Sequence, residues 1–213
     1  MVNIYLIRHG RQCSDLCNVD VDLSVEGIKQ AELLRDRFQN YEIDALYASN
    51  LIRARQTAEI INKAQLLPIK IREDIKEISF GLMEGKSDEY NHEHYGDVLA
   101  EQLKFVEDIP YPGGETGTDV YERAMPIIRE IAQSGKKNIV VVTHGGVIRA
   151  LLAGLFSRSQ AKRLLYATSL ENTSITQLVY NPKLDCFYLE RFNDSAHLEG
   201  YPELSRRSFK NPL

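Results

Sequence analysis

The chain has 213 residues, 43% of them hydrophobic and 26% charged, a balance that supplies enough apolar side chains for a real core. A formal charge of −4 and a pI near 5.8 exclude the basic footprint of a nucleic-acid binder or of a ligand for anionic membranes. No apolar run approaches the roughly 20 residues that span a bilayer, and no secretory pattern is visible, so the expected compartment is the cytoplasm; three cysteines, an odd number, predict free thiols rather than a disulfide framework.

Val2 to Ile7 is apolar except at Asn3 and predicts a buried strand that stops at Arg8, His9 and Gly10. Residues 11–23 form a polar loop without periodicity. Ser24 is placed as a helix N-cap, because Ile28, Ala31, Leu34 and Phe38 follow at helical spacing, giving a helix over 24–39. A short strand at 44–49 leads to a second helix with Leu51, Ala54, Ala58 and Ile61 on one face, and Pro68 to Arg72 alternates as a third strand.

From Glu73 to about Glu115 the pattern loosens, with a polar stretch at 86–97, a helix expected within 97–107, and Pro110-Tyr-Pro-Gly-Gly114. Long irregular segments of this kind usually carry function. Thr118 to Ser134 reads as a helix that Pro126 should bend. Asn138 to Thr143 is the clearest buried strand; it ends at His144-Gly-Gly, and a helix continues from Val147 to Phe156. A short helix at 159–166, two closing strands at 174–180 and 185–192, and a surface tail over the last twenty residues complete the pattern.

Strands alternating with helices imply right-handed crossovers. The expected fold is one α/β domain over residues 1–213, with a mainly parallel central sheet, helices on both faces, and a lid inserted at about 78–115. In such sheets ligands bind beyond the carboxyl ends of the strands. There the connectivity gathers Arg8 and His9 from the first strand, Arg53 from the helix after the second, Glu77 beyond the third, and His144 from the fourth. Guanidinium forks match phosphate oxygens, and an imidazole can act as nucleophile or base. A neutral His9 attacking phosphorus would form a phosphohistidine. Arg8, Arg53 and protonated His144 would stabilise the oxygens, and Glu77 would protonate the leaving alkoxide and then activate water.

Leu6-Ile-Arg-His-Gly10 resembles the signature of the histidine phosphatase superfamily, the phosphoglycerate mutase-like group. Leu23-Ser-Val-Glu-Gly-Ile-Lys-Gln-Ala31, Ala48-Ser-Asn-Leu-Ile-Arg-Ala-Arg-Gln-Thr-Ala58, Glu77-Ile-Ser-Phe-Gly-Leu-Met-Glu-Gly85, Pro112-Gly-Gly-Glu-Thr116 and Val142-Thr-His-Gly-Gly146 are similar to further segments of that family, in the same order. The resemblance implies a three-layer α/β sandwich and a metal-independent phosphatase without a cofactor, acting on a small phosphorylated substrate. His9, Glu77 and His144 are implied as catalytic, with Arg8, Arg53, Gln12 and Asp15 binding substrate. Arg11, Gln12 and Asp15 depart from the family's pattern. An ionised Asp15 would repel phosphate unless it turns away or meets a cationic part of the substrate, with Arg11 partly offsetting it and Asn18 supplying an amide.

A mutase using the same residues wants a long basic lid, whereas the insertion here is rich in acids; a non-catalytic phosphate-binding module would not need all five charged residues. His92 and His94 are expected as solvated lid residues, Glu84 as a turn residue, Glu115 as a helix cap, and Tyr90, Tyr95 and Tyr111 as lining of the substrate entrance or lid packing.

Overall fold

The longest apolar runs fold where burial is deepest. The computed structural model describes residues 1–156 and 158–205. Its strands are β1 (Val2–Arg8), β2 (Ala45–Ser49), β3 (Ile69–Arg72), β4 (Asn138–Thr143), β5 (Ile175–Asn181) and β6 (Cys186–Asp194). They form one sheet in the order β3-β2-β4-β1-β5-β6. The first four pair in parallel, and β5 and β6 join antiparallel at one side.

Period-two alternation sends side chains to opposite faces. Ile4, Leu6, Ile139 and Val141 join a core with helices α4 (Gly117–Ala132) and α5 (Gly145–Leu155). Tyr5, Ile7, Val140 and Val142 join a second core with α1 (Val25–Phe38) and α2 (Ile52–Asn62). The architecture is therefore three layers, held chiefly by apolar burial at about 1.5–3 kcal/mol per large side chain. Because β1, β2, β3 and β4 are parallel, their carboxyl ends share one edge.

Local rules set the helix starts. Ser24 caps α1, its hydroxyl accepting from the Gly27 amide at 3.1 Å. Gly27 is required for packing: a Cβ there would lie 2.0 Å from the Arg11 carbonyl oxygen. Thr116 and Asp119 form a capping box at α4. That helix continues through Pro126, which faces solvent while Val120, Ala124, Met125 and Ile128 stay buried.

Two segments differ from the sequence pattern. The polar stretch is not a loop: α3 spans Asp88–Gln102, starting nine residues before the expected 97. Ser87 caps it, Asp88 and Glu89 suit its positive end, and buried Asn91 and Gln102 anchor it to the Met83 and Ile109 carbonyls. Its inward face mixes buried Asn91 and Gln102 with half-buried Tyr95 and Leu99, so its apolar period is weak. The expected surface tail also packs in part: Leu198 is 1% and Leu204 5% exposed. The rest of that tail, residues 206–213, lies outside the described residues.

Candidate active site

His9 emerges from β1 almost fully buried. Its amide donates to Thr143 O at 3.0 Å, and its carbonyl accepts from Asn172 Nδ2 at 2.9 Å. The imidazole Nδ1 lies 2.7 Å from the Gly10 carbonyl, which can only accept, so Nδ1 carries the proton. Nε2 therefore keeps its lone pair, and Arg53 Nε donates to it at 3.2 Å. The Gly10 carbonyl and the Arg53 guanidinium together select one tautomer.

Arg53 belongs to the first turn of α2 and is 2% exposed. Its other nitrogens donate to Val19 O at 3.0 Å and Asn18 Oδ1 at 2.7 Å. Burial lowers its pKa from the ordinary arginine value, against the raising effect of Glu77 and Asp20. Arg8 donates to the Leu170 carbonyl, and its side chain passes over Gly145, where a Cβ would sit 3.6 Å from Nε.

His144 occupies the N-cap position of α5, fully buried, its ring centroid 5.0 Å from that of His9. Its Nε2 lies 2.8 Å from Ser49 Oγ, while Nδ1 has no hydrogen-bond partner among the described residues. Burial first, then the charges of His9, Arg53 and Arg8, hold its pKa well below the usual value. Burial and the nearby arginines therefore both disfavour the protonated imidazole expected there.

Glu77 reaches the same edge through backbone contacts. Its Oε1 accepts from the Ile78 amide at 3.0 Å and the Gly146 amide at 2.9 Å. Arg123 donates to the Glu77 carbonyl at 3.1 Å and is gripped by Glu115 at 2.7 Å. Glu115 therefore does not cap α4, which has Thr116 for that. Burial pushes the Glu115 carboxyl up, but hydrogen bonds from Arg123 and the Ser79 amide outweigh it and hold its pKa below the ordinary value.

Arg8, His9, Arg53 and Glu77 line one cavity of about 760 Å³. Gln12 and Asp15 line it too, but differently. Gln12 spends its amide on Ser14 O at 2.9 Å and Leu16 O at 3.3 Å, closing its own loop. Asp15 is exposed at the mouth. Arg11 does not offset it by contact: Nη2 donates to Leu204 O at 3.1 Å and Ser205 O at 3.3 Å. Asn18 uses its amide within the protein, on Glu84 at 3.0 Å. The same Glu84 oxygen accepts from the Phe80 amide at 2.9 Å, a turn-holding arrangement.

The cavity also contains residues that sequence reasoning missed. Asp88 and Glu89 contribute from the start of α3, Phe80 supplies an aromatic wall, and Asn172 enters from the loop before β5. The next residue, Thr173, holds φ +58°, a strained backbone for a β-branched side chain. The tyrosines lie elsewhere: Tyr111 is buried against Phe80, and Tyr90 stacks on exposed His94 at 3.8 Å. Burial pushes the Cys17 thiol at the cavity wall up to about 11, with Glu84, Asp88 and Glu77 adding to the shift. Among the described residues no group of three or more His, Cys, Asp or Glu side chains is placed to hold a metal ion.

Residues 4–195 match the profile of the histidine phosphatase superfamily (branch 1). A metal-independent phosphoserine phosphatase from Arabidopsis thaliana is 30% identical over 97% of this chain and 87% of its own. A 2,3-bisphosphoglycerate-dependent phosphoglycerate mutase from Methanococcus vannielii is 29% identical over the whole of both chains; that alignment runs to 250 positions, so the mutase has segments with no counterpart here. A mutant phosphoserine phosphatase from Entamoeba histolytica, solved with phosphoserine, superposes with a TM-score of 0.79 at 26% identity, over 93% of this chain and all of that one.

Proposed function

The chain belongs to the histidine phosphatase superfamily, and on that footing we propose that it hydrolyses a small phosphomonoester through a phosphohistidine on His9. The observation that carries the proposal is the tautomer lock: Nδ1–H on the Gly10 carbonyl leaves Nε2 as an unprotonated nucleophile beside a guanidinium.

Nε2 attacks phosphorus and the bond to the leaving oxygen breaks. Glu77 gives its proton to that oxygen, and the alcohol leaves. Glu77 then takes a proton from water, whose oxygen attacks the phosphohistidine, releasing phosphate and restoring His9. Glu77 is held for this through Oε1 by two amides, leaving Oε2 to exchange the proton. The positive charge on the phosphorylated ring is met at Nδ1–H by the Gly10 carbonyl. Arg8 and Arg53 balance the phosphoryl oxygens, and His144, neutral in its buried place, donates a hydrogen bond or gains a proton as the phosphate's charge raises its pKa. Such positioning and charge stabilisation are most of what phosphoryl transfer asks of a protein.

Hydrolysis is favoured over a mutase reaction by the acids of α3 at the cavity, which oppose a second anionic group, and by the mutase segments that have no counterpart here. Phosphoserine, the compound in the relatives' names, is the first substrate to try.

The test is release of phosphate from an aryl phosphate in the presence of a chelator, with trapping of the phosphoenzyme. Wild type should turn over unchanged by chelation and form an acid-labile adduct. His9→Ala should lose both, the rate falling roughly 10⁴-fold or more. Activity that collapses on chelation, or an adduct surviving in His9→Ala, would place the chemistry elsewhere. Interconversion of phosphoglycerates faster than phosphate release would replace the phosphatase by the mutase.

A further inference from the structure

The cavity is charged asymmetrically. Its floor carries Arg8, Arg53 and His9, beside fully buried His144 with its unpartnered Nδ1. The same cavity carries three exposed carboxylates, Asp15 from the loop after β1 and Asp88 and Glu89 from the first turn of α3. The acids do not stand alone; they share one space with an anion site built into the sheet edge.

Two further cations stand near them, Arg11 on the wall of the same cavity and Lys86 just before α3, and each has another partner. Arg11 Nη2 is engaged by the Leu204 and Ser205 carbonyls. Lys86, two residues before α3, lies over the Tyr90 ring at 5.4 Å. With Arg8 and Arg53 used on the phosphoryl group, the three exposed carboxylates outnumber the one remaining lining arginine, Arg11, so a substrate cation is favoured there over a substrate carboxylate.

We propose that the cavity selects phosphomonoesters whose alcohol carries an ammonium group, with Asp15, Asp88 and Glu89 receiving the cation and Arg8, Arg53 and His9 the phosphoryl group. This rests on the phosphatase function proposed above and narrows its substrate class to aminoalkyl phosphates. A carboxylate on the same substrate contributes nothing favourable, so O-phosphoethanolamine should serve at least as well as phosphoserine. The exposed charges act through solvent and are screened, and together they should change kcat/KM by about tenfold.

The experiment compares kcat/KM for O-phosphoethanolamine, glycerol phosphate and 3-phosphoglycerate, which carry a cationic, a neutral and an anionic head. An aryl phosphate is the control for turnover. The expected order is cationic, neutral, anionic, with about tenfold between the first two, most of it in KM and shrinking as salt is raised. In Asp15→Asn/Asp88→Asn/Glu89→Gln the cationic-to-neutral ratio should fall to within about twofold of one, with the melting temperature confirming that the fold is kept. A wild type that hydrolyses the aryl phosphate but prefers the neutral or anionic head overturns the selectivity and leaves the phosphatase intact. So does a triple variant whose ratio is unchanged. A wild type that hydrolyses none of the four overturns the phosphatase proposal itself.

Discussion

The floor and the mouth of the cavity are built in opposite ways. On the floor, His9, Arg53 and His144 are at most 5% exposed and leave strands or a helix turn with their backbones fixed by the sheet. At the mouth, Asp15, Asp88 and Glu89 are exposed and sit on a loop and a helix end. Preorganised groups contribute most where charge develops, in a water-poor space, while exposed charges contribute weakly and are screened. In the proposed reaction the floor therefore sets how fast the chemistry runs, and the mouth which substrate it runs on.

The sharpest way to break this division is at Arg53. Its guanidinium touches His9 Nε2, Val19 O and Asn18 Oδ1, so it both orients the His9 ring and ties the loop after β1 to the floor. Arg53→Met should lower kcat/KM on the order of 10³-fold, about 4 kcal/mol. Arg53→Lys should recover little, since an ammonium lacks the fork that reaches three acceptors. A loss below tenfold in Arg53→Met would mean that the floor is not where the rate is set.

A smaller effect is expected at Gly146. A Cβ there would come within 2.5 Å of Glu77 Oε1 and 2.7 Å of Ile78 Cγ2. Gly146→Ala should push the carboxylate from its place and lower kcat roughly 100-fold, the scale of a misplacement of about 1 Å. Alanine is favoured over glycine within a helix by up to about 1 kcal/mol, so thermal stability should change little. Normal kcat in this variant would show that the position of Glu77 is not critical. A fall in melting temperature matching the fall in rate would show ordinary unfolding instead.

The same division explains what the sequence discloses. Arg8, His9, Arg53, Glu77 and His144 stand just beyond apolar strands, so parallel topology places them on one edge before any side chain is seen. Asp88 and Glu89 sit in a polar stretch whose helix faces inward with buried amides, Asn91 and Gln102, and only two packed apolar side chains, Tyr95 and Leu99, a weak hydrophobic period. Arg11 looked available to offset Asp15 because its partners, the Leu204 and Ser205 carbonyls, are more than 190 residues away and involve backbone only. The lowered pKa of His144 was not legible because it comes from burial depth rather than residue type. Strand ends can be read from local pattern; long-range polar contacts and desolvation cannot.

The C-terminal segment gives the mildest test, because it bonds to the floor without lining the cavity. His197 Nε2 donates to Thr173 Oγ1 at 3.0 Å, Thr173 Oγ1 donates to Asn172 O at 2.7 Å, and Asn172 Nδ2 donates to His9 O at 2.9 Å. Arg37, held by Asp194, approaches His197 Nδ1 at 3.5 Å. Burial pushes His197 down to about 4, Arg37 adding to the shift and Asp194 opposing it. In the unfolded chain the imidazole titrates near 6.5, so as pH falls the unfolded state takes up the proton first. The stability given by neutral His197 is complete above about pH 6.5 and is lost toward about pH 4, amounting to about 3 kcal/mol. His197→Gln should flatten the fall in melting temperature over that window relative to wild type. At pH 7 its kcat/KM should stay within about twofold, because exposed charges and distant backbone contacts act weakly on a floor fixed by the sheet. A tenfold loss at pH 7 with an unchanged melting temperature would mean that the chain of hydrogen bonds from His197 positions His9, and that the floor is not self-contained.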